Sequence, residues 1–302
     1  MDLKKKLYLI IDAGGTYFKS AITDNNAKIS VGSSFQTKSY SKSTADCIIS
    51  AYHKTISHGI AHVKKNNGVL DGIGIATPGP FDYNKGIPLM KHKFASIYGL
   101  NLSEIIYSRP DIKQGLPICY MHDANAALAG ELWKGNAKGF ANVALVTLGT
   151  GLGFAYSQNG VIRYNPEGGP GKSIFTLPYK DGILEDYASK RGIIKLYNEK
   201  NGKSVQNIDV SDIGKRANQG ESTSIETFSE IGRILAEVFY NILDQHGIQC
   251  LLFGGQISRS FHHMEGSLKT GLNSIKSLER ISTVKNIDDA ALYGVLWKIL
   301  NN

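Results

Sequence analysis

The chain has 302 residues, which is enough for one large core or for two domains, and two domains are the better expectation. Hydrophobic residues make up 42% and charged residues 20% of the chain, as in ordinary globular proteins. The net charge is +8, but no arginine-rich helix and no stripe of basic and aromatic residues occurs. An anionic small ligand explains the charge as well as a nucleic acid would, and without such a stripe we expect no nucleic-acid partner.

Targeting signals and cysteine motifs are also missing from the pattern. No apolar run approaches the roughly 20 residues that a membrane span needs, and the first strand starts too early to leave room for a signal peptide. The three cysteines lie far apart without CxxC spacing, which favours core thiols in a reducing compartment. We expect a cytoplasmic protein with no membrane partner and no zinc site.

The first strand leads directly into a turn suited to phosphate. Leu7–Ile11 is bulky and partly β-branched, as in a buried strand. Asp12, Gly14, Gly15 and Thr16 follow it, and they combine a carboxylate suited to Mg²⁺, a turn free of Cβ atoms and a hydroxyl. This combination is typical of a phosphate-binding loop beside a metal-binding acid.

An ordinary hairpin explains the same stretch equally well, because Tyr17–Ile22 could pair back on the first strand. Lys19 is placed either to reach a phosphate or to lie on the surface of that second strand. A helix is predicted from Ser43 to about Asn66 and a strand over Val69–Ala76, which the turn Thr77–Pro80 ends. This strand–helix–strand order predicts a crossover connection and a mixed sheet.

A second acidic residue follows a later strand. Leu102–Tyr107 is predicted to be a short helix with Asn101 before it, and Pro117–Met121 a short strand. Asp123 then opens an alanine-rich helix. An aspartate in this place is ordinarily an N-cap, so its sequence position alone favours a structural role over a catalytic one.

The phosphate-loop chemistry is then repeated. Val143–Leu148 reads as another apolar strand that contains Thr147 and leads into Gly149, Thr150 and Gly151. Two such turns, each after a strand, indicate an internally duplicated protein that holds one phosphate chain from both sides.

The remaining part is predicted to be mostly helical. Helices are predicted over Leu184–Lys200, Val210–Asn218, Ser224–His246 and Asp288–Leu300. Between the last two, a buried strand at Ile248–Phe253 leads into a third glycine turn, whose backbone could lie flat against a base or ribose.

Together these segments resemble the ROK family of sugar kinases, within the actin, hexokinase and heat-shock ATPase superfamily. The likeness covers most of the chain, and the order of the motifs is more specific than any one of them. The matched segments are the first phosphate motif Asp12–Thr16, the Pro-Gly-Pro turn Thr77–Pro80, the catalytic segment His122–Ala127, the second phosphate motif Leu148–Gly151 and the adenosine motif Gly254–Ser258.

The resemblance implies transfer of a phosphoryl group from ATP to a sugar hydroxyl. Asp123 would then be the general base beside the sugar, and Asp12 would hold Mg²⁺ through water. This agrees with the chemistry, which needs positioning, charge neutralisation and one carboxylate beside the attacking hydroxyl. The residues assigned to ATP and Mg²⁺, with Lys19 added from its spacing, are Asp12, Gly14, Gly15, Thr16, Lys19, Thr147, Gly149, Thr150, Gly151, Gly254, Gly255, Gln256 and Ser258.

The sugar-binding part departs from the family pattern. The family's cysteine-rich zinc motif is missing, and where the family has a glutamate and a histidine the alignment gives Pro170 and Lys172. Glu185 and Asn101 resemble family residues that contact the sugar. We therefore expect Asn101, Asp123, Lys172 and Glu185 on the substrate side, without glucose selectivity.

The resulting expectation is an α/β fold of two ribonuclease-H-like domains, of the actin and hexokinase type, with mixed sheets around a central cleft. The smaller lobe would comprise residues 1–120 and the helix 288–302, and the larger lobe residues 121–287. The expected activity is a glucokinase-like kinase acting on a hexose or an N-acetylhexosamine, with a homodimer implied by the family. The alternative is a weak or inactive relative that binds sugar as a regulator, although repressors of the family carry an N-terminal DNA-binding segment for which we expect no room before Leu7.

Overall fold

A computed structural model describes residues 4–301, which form a mixed α/β fold in two compact units. The first unit runs to Trp133 and also contains Tyr164–Gly169 and the segment from Asp289 onward. The second unit consists of Lys134–Arg163 and Pro170–Asp288.

The elements have the following bounds. The strands are β1 Lys6–Ala13, β2 Tyr17–Thr23, β3 Phe35–Lys38, β4 Val69–Thr77, β5 Phe81–Asp82, β6 Ile87–Pro88, β7 Ile118–His122, β8 Val143–Leu148, β9 Leu152–Gln158, β10 Val161–Ile162, β11 Pro178–Tyr179, β12 Gly182–Ile183, β13 Cys250–Gly254 and β14 Arg280–Thr283. The α-helices are α1 Ala45–Lys65, α2 Leu102–Tyr107, α3 Asp123–Lys134, α4 Leu184–Ala188, α5 Lys190–Asn201, α6 Val210–Asn218, α7 Ser222–Gln245, α8 Glu265–Leu272 and α9 Ala290–Leu300. Residues Ala95–Ile97 and Gln256–His263 are 3₁₀-helical.

The sheet of the first unit has the strand order β3-β2-β1-β4-β7. Strands β1, β2 and β3 are antiparallel neighbours, whereas β1, β4 and β7 are parallel. The hairpin that we considered as the alternative to a phosphate-binding loop is therefore present. The glycine turn Gly14–Thr16 is the loop of that hairpin. Binding of phosphate by this turn stays a prediction.

Helix α1 covers one face of this sheet. Thr44 caps its start by accepting a hydrogen bond from the Cys47 N–H, and its apolar face is buried. The buried residues include Ile48, Tyr52, Ile56 and Val63. This amphipathic crossover between β3 and β4 is what makes β4 parallel to β1.

Helices α3 and α9 cross closely in the first unit. A Cβ at Gly130 would lie 2.3 Å from the Ala290 carbonyl oxygen, and one at Gly294 would lie 1.7 Å from the Ala126 carbonyl oxygen. Glycine at both places lets the two backbones touch. The expected lobe boundary at residue 120 needs correction for this reason, since the packing of α3 against α9 keeps the chain in the first unit as far as Trp133.

The sheet of the second unit repeats the arrangement of the first. Its order is β10-β9-β8-β13-β14, with β8 antiparallel to β9 and parallel to β13. Each sheet thus has a central strand with an antiparallel meander on one side and two parallel strands on the other. The mixed sheets and the internal duplication expected from the sequence are confirmed.

The helices of the second unit pack on that sheet around the long helix α7, whose buried face includes Phe228, Ile231, Leu235 and Phe239. The helix predicted over Leu184–Lys200 is split into α4 and α5. Ser189 between them is extended, and the Lys190 N–H donates to the Gly149 carbonyl oxygen at 2.9 Å. The chain leaves the helix there to reach the second glycine turn.

Among residues 4–301, no helix combines the length and the apolar character needed to cross a membrane.

Candidate active site

The carboxyl ends of the parallel strands in the first unit bring two acids to one edge of the sheet. Asp12 on β1 pairs with Ala76 on β4, and the next residue of β4, Thr77, pairs with His122 on β7. Asp123 follows His122 directly and begins α3. Strand β4 lies between β1 and β7, so Asp12 and Asp123 stand at the carboxyl edge of the sheet, where open α/β sheets bind ligands.

The first glycine turn joins β1 to β2. Gly14, Gly15 and Thr16 stand between the two strands, with Thr16 exposed. The Ser41 hydroxyl donates to the Gly15 carbonyl oxygen, and the Thr16 carbonyl accepts from the Ser39 N–H at 3.0 Å. These bonds fix the turn from the carbonyl side.

The Asp12 carboxylate is influenced by one opposite charge and one like charge. Lys19 stands directly opposite it in the β1–β2 register, where cross-strand side chains meet. Desolvation and the negative charge of Asp123 raise the pKa of Asp12 to about 6, although the Lys19 charge lowers it. The two acids therefore interact, and a cation bound at Asp12 would relieve their repulsion.

Asp123 is prepared to remain ionised. Its Oδ1 accepts from the Ala124 N–H at 2.7 Å and lies 2.9 Å from the Nδ1 of His122. Desolvation acts to raise the pKa of Asp123, but the charge and hydrogen bond of His122, the Ala124 N–H and the charge of Lys93 together hold it below the ordinary value. The side chain is 41% exposed, so a substrate hydroxyl can reach the carboxylate.

Lys93 is a residue of this region that sequence reasoning did not single out. Its side chain lies against the first glycine turn, with Cδ 3.4 Å from the position that a Cβ on Gly15 would take. Its charge also acts on Asp123. No local motif marks it, because it lies in an irregular segment between β6 and α2.

Asn101, predicted to contact sugar, caps α2. Its Oδ1 accepts from the N–H groups of Ser103 and Glu104 at 2.9 and 3.3 Å, and its Nδ2 donates to Glu104 Oε1 at 3.2 Å. Both ends of the carboxamide are thus engaged locally. A sugar contact by Asn101 stays a prediction, and the second N–H of its Nδ2 is the donor that could make it with the cap intact.

The second unit places two glycine turns side by side. Thr147 near the end of β8 pairs with Gly254 at the end of β13, so the turn Gly149–Gly151 and the turn after Gly254 lie at the same sheet edge. Within the first of these, the Gly149 N–H donates to the Gly151 carbonyl oxygen at 3.1 Å. This brings together the residues that the sequence assigned to the second phosphate motif and to the adenosine motif.

Gly255 requires its glycine. Its φ is +81°, and a Cβ there would lie 2.3 Å from the Leu148 carbonyl oxygen. Ser258 is buried, and its hydroxyl donates to the Gly255 carbonyl oxygen at 2.6 Å. Gln256 is exposed and bridges Arg259 and Asp288 through its two amide atoms. In this structure the side chains of Ser258 and Gln256 thus support the turn.

Glu185 reaches the second phosphate turn. Its Oε2 accepts from the Leu152 N–H at 3.1 Å and would lie 2.7 Å from a Cβ at Gly151. Its Oε1 is 3.6 Å from Arg191 Nη2, which also pairs with Asp186 at 2.7 Å. The Glu185 side chain, which is predicted to contact the sugar, therefore lies beside the turn that would bind phosphate.

Lys172 lies elsewhere in the second unit. It follows Gly171, whose N–H donates to the Arg163 carbonyl oxygen at 3.0 Å, and its charge helps to lower the pKa of His246 at the end of α7. Among residues 4–301, Lys172 forms no ion pair. Its predicted role in substrate binding stays a prediction.

The acids and thiols of the described chain do not form a cluster of three or more metal ligands. Cys119 and Cys250 are buried free thiols, and Cys47 is half-buried.

The family model for the ROK family matches residues 8–300. The chain belongs to the ROK family. A glucokinase from Halalkalibacterium halodurans is 23% identical over 282 residues, covering 85% of this chain and 82% of the relative. A xylose repressor from Bacillus spizizenii is 27% identical over 282 residues, covering 90% of this chain and 70% of the relative.

The fold matches a solved kinase of the same family. The ROK family glucokinase from Streptomyces griseus, determined in complex with glucose and AMPPNP, superposes with a TM-score of 0.81 at 20% identity, covering 98% of this chain and all of that one. This likeness establishes the two-domain α/β fold. Kinases and a repressor both occur among the relatives, so the activity of this chain has to be argued from its own residues.

Proposed function

We propose that this protein is an ATP-dependent sugar kinase that transfers the γ-phosphoryl group to a hydroxyl of a hexose or an N-acetylhexosamine. The observation that carries the proposal is the ionised, accessible carboxylate of Asp123 at the same sheet edge as Asp12 and the first glycine turn. A repressor that only binds sugar has no need of a base beside a phosphate loop.

Asp123 is the general base in this proposal. The substrate hydroxyl donates to its carboxylate, and His122 keeps that carboxylate oriented through Nδ1. Because its lowered pKa makes Asp123 a weak base, it takes the proton late, after the bond to phosphorus has largely formed.

Each unit supplies residues for ATP. In the first unit, Gly14, Gly15 and Thr16 would bind phosphate, with Lys19 paired to Asp12. In the second unit, the residues are Thr147, Gly149, Thr150, Gly151, Gly254 and Gly255, with Gln256 and Ser258 bracing the last turn.

Asp12 fits a magnesium site. Mg²⁺ is commonly bound by one or two carboxylates together with phosphate oxygens and water. After desolvation, the negative charge of Asp123 is the second cause that raises the pKa of Asp12, and this charge would favour a cation there. Bound there, the ion would neutralise phosphate charge. Asp12 would hold it, and Lys19 would keep Asp12 in position.

The sugar would be recognised by Glu185, with Asn101 and Lys172 as further candidates. Pro170 and Lys172 stand where the family pattern has a glutamate and a histidine, so the hydroxyls read by those residues would be read differently here. We therefore leave the proposal at the class of hexoses and N-acetylhexosamines. The protein would act in the cytoplasm as a homodimer. Light scattering on the purified protein would test the dimer.

The decisive experiment is ADP release with Mg·ATP over a panel of hexoses, hexosamines and N-acetylated sugars. At least one sugar should stimulate release, and Asp123→Asn should lower kcat for it by about 10²–10⁴-fold. Asp46→Asn, the same change at an exposed aspartate in α1, is the matched control and should leave kcat unchanged. If no sugar stimulates release in the wild type, the kinase proposal fails. If Asp123→Asn turns over like the control, the base assignment fails.

A second candidate is a regulator that binds sugar without transfer, which the 27% identity to a xylose repressor favours. It predicts calorimetric sugar binding by the wild type with no ADP release. The same sugar panel separates the two functions.

A further inference from the structure

The segment around Lys93 is anchored on both sides of that residue. Met90 and Phe94 are each only 1% exposed, and Phe94 adopts a left-handed conformation with φ 54°. A buried aromatic residue keeps such a conformation only when its surroundings hold it there. Phe94 packs against Phe18 of β2, with ring centroids 6.1 Å apart.

Ser41 ties this segment to the first glycine turn. Its carbonyl oxygen accepts from the Phe94 N–H at 2.7 Å, and its hydroxyl donates to the Gly15 carbonyl oxygen. One residue thus fixes the Lys93 segment and the turn relative to each other. The position of Lys93 follows from buried contacts.

The Lys93 side chain lies along the outside of the turn. Its Cδ, Cε and Nζ atoms are 3.4, 3.5 and 3.8 Å from the position of a Cβ on Gly15. Among residues 4–301, Lys93 forms no ion pair and no hydrogen bond, whereas Lys19 on the same hairpin stands opposite Asp12. A half-buried lysine that forms no ion pair, held against the turn that would bind phosphate, is placed to bind an anion.

We propose that Lys93 is a catalytic residue that binds an oxygen of the transferring phosphoryl group. The proposal rests on the proposed kinase function, and it uses the position of the Lys93 side chain against the turn that would bind phosphate. The charge of Lys93 also acts on Asp123, which is the expected consequence of that position.

The chemistry balances without a further reactant. A bond forms between the acceptor hydroxyl oxygen and the γ-phosphorus, while the bond from the γ-phosphorus to the bridging oxygen breaks and ADP leaves. The hydroxyl proton goes to Asp123. Lys93 keeps its protons and stabilises negative charge on the phosphoryl oxygens, which is the main requirement of this reaction.

The first test compares Lys93→Met with Lys91→Met. Both variants remove an ammonium and keep a long side chain, but Lys91 is exposed two residues earlier in the same segment. Lys93→Met should lower kcat by about 10²-fold with KM for the sugar changed less than about threefold, and Lys91→Met should behave like the wild type. Lys93→Arg should recover part of the loss. A raised sugar KM with unchanged kcat would place Lys93 on the acceptor and overturn the proposal.

The second test does not need turnover. Calorimetric binding of ATP and of ADP, each with Mg²⁺, should show about tenfold weaker ATP binding by Lys93→Met with ADP binding unchanged. Equal losses for both nucleotides, or ATP binding like that of Lys91→Met, would overturn the proposal, as would a wild type that binds neither nucleotide.

The two proposals fail separately. If the wild type phosphorylates no sugar but loses ATP-over-ADP preference on Lys93→Met, the kinase function falls and the Lys93 contact stands. If the wild type phosphorylates a sugar and Lys93→Met changes neither kcat nor that preference, the kinase function stands and the Lys93 proposal fails.

Discussion

The two glycine turns follow equivalent strands but differ in charge. Asp12 and Thr147 are each the last residue but one of the central strand of their sheet, and each precedes a glycine turn. The cross-strand partner of Asp12 is Lys19, whereas that of Thr147 is Gly153. One topology therefore carries two opposite charges at this cross-strand position in the first unit and two uncharged residues in the second.

This difference indicates a division of labour between duplicated halves. The first unit gathers Asp12, Asp123, Lys19 and Lys93, which can move a proton or neutralise charge. The second unit offers backbone N–H groups and close approach, for which Gly255 is essential. Duplication repeats the strands, and the chemistry then depends on a few side chains at their ends.

The largest expected effect tests the packing of the second unit. Gly255→Ala should lower the free energy of unfolding by about 3 kcal/mol or more, because it adds both a strained φ and a clash with the Leu148 carbonyl. Gly160→Ala is the control, since its φ is +77° but a Cβ there meets nothing within 4 Å. Urea unfolding measures both variants. Equal losses would mean that the clash contributes nothing and that the close approach is not required.

The next effect tests the charge of the first unit. Asp12→Asn should raise the free energy of unfolding at pH 7.5 by about 1–3 kcal/mol, because the pKa of Asp12 is raised from 3.8 to about 6 in the folded protein. The folded state then holds this proton more tightly than the unfolded chain. The wild type should lose stability between about pH 4 and pH 6, where the variant does not.

Thr147→Val at the equivalent strand position is the control, and its stability difference from the wild type should not vary with pH. Urea unfolding from pH 4 to pH 8 gives both comparisons. A pH-independent difference for Asp12→Asn would show that folding does not raise the pKa of Asp12. The same variant should lose kinase activity.

A smaller effect concerns the support of the second phosphate turn. Glu185→Ala should lower the free energy of unfolding by about 1–2 kcal/mol, because the Leu152 N–H loses its acceptor. Glu185→Gln keeps an oxygen there and should cost less than half as much. Thermal unfolding of Glu185→Ala and Glu185→Gln measures this difference. Identical melting temperatures for the two variants would show that the oxygen at position 185 does not support the turn.

The smallest effect concerns the adenosine turn. Gln256→Ala should change the free energy of unfolding by less than about 0.5 kcal/mol, since its contacts to Arg259 and Asp288 are exposed. A larger change in chemical denaturation would show that this surface network fixes the turn, and the second unit would then depend on charge as the first does.

Local patterns predicted much of the fold. Helix α2 has the predicted bounds Leu102–Tyr107, and the glycine turns follow the predicted strands, because capping and periodicity are written in neighbouring residues. The break at Ser189 could not be predicted this way. It accompanies a hydrogen bond from the Lys190 N–H to the Gly149 carbonyl oxygen, and these two residues are far apart in sequence.

The residues of the candidate site also divide into those that local sequence predicts and those that only tertiary contacts bring into place. Asp12 and Asp123 were found because each comes just after the apolar run of a predicted strand, and the family resemblance added their roles. Lys93 was missed because its position depends on Ser41, Phe94 and Gly15, which only the folded chain brings together. Asn101 shows the opposite case, since its cap was readable from sequence before any ligand role.

The packing of α9 has a consequence for synthesis on the ribosome. This helix lies against β1, β4 and β7, and its Val295 and Leu296 are fully buried. All residues of the second unit precede it in the chain. A nascent chain arrested before residue 290 should therefore present an uncovered sheet face in its first unit while its second unit is already fully synthesised, and that intermediate is the one we expect chaperones to bind.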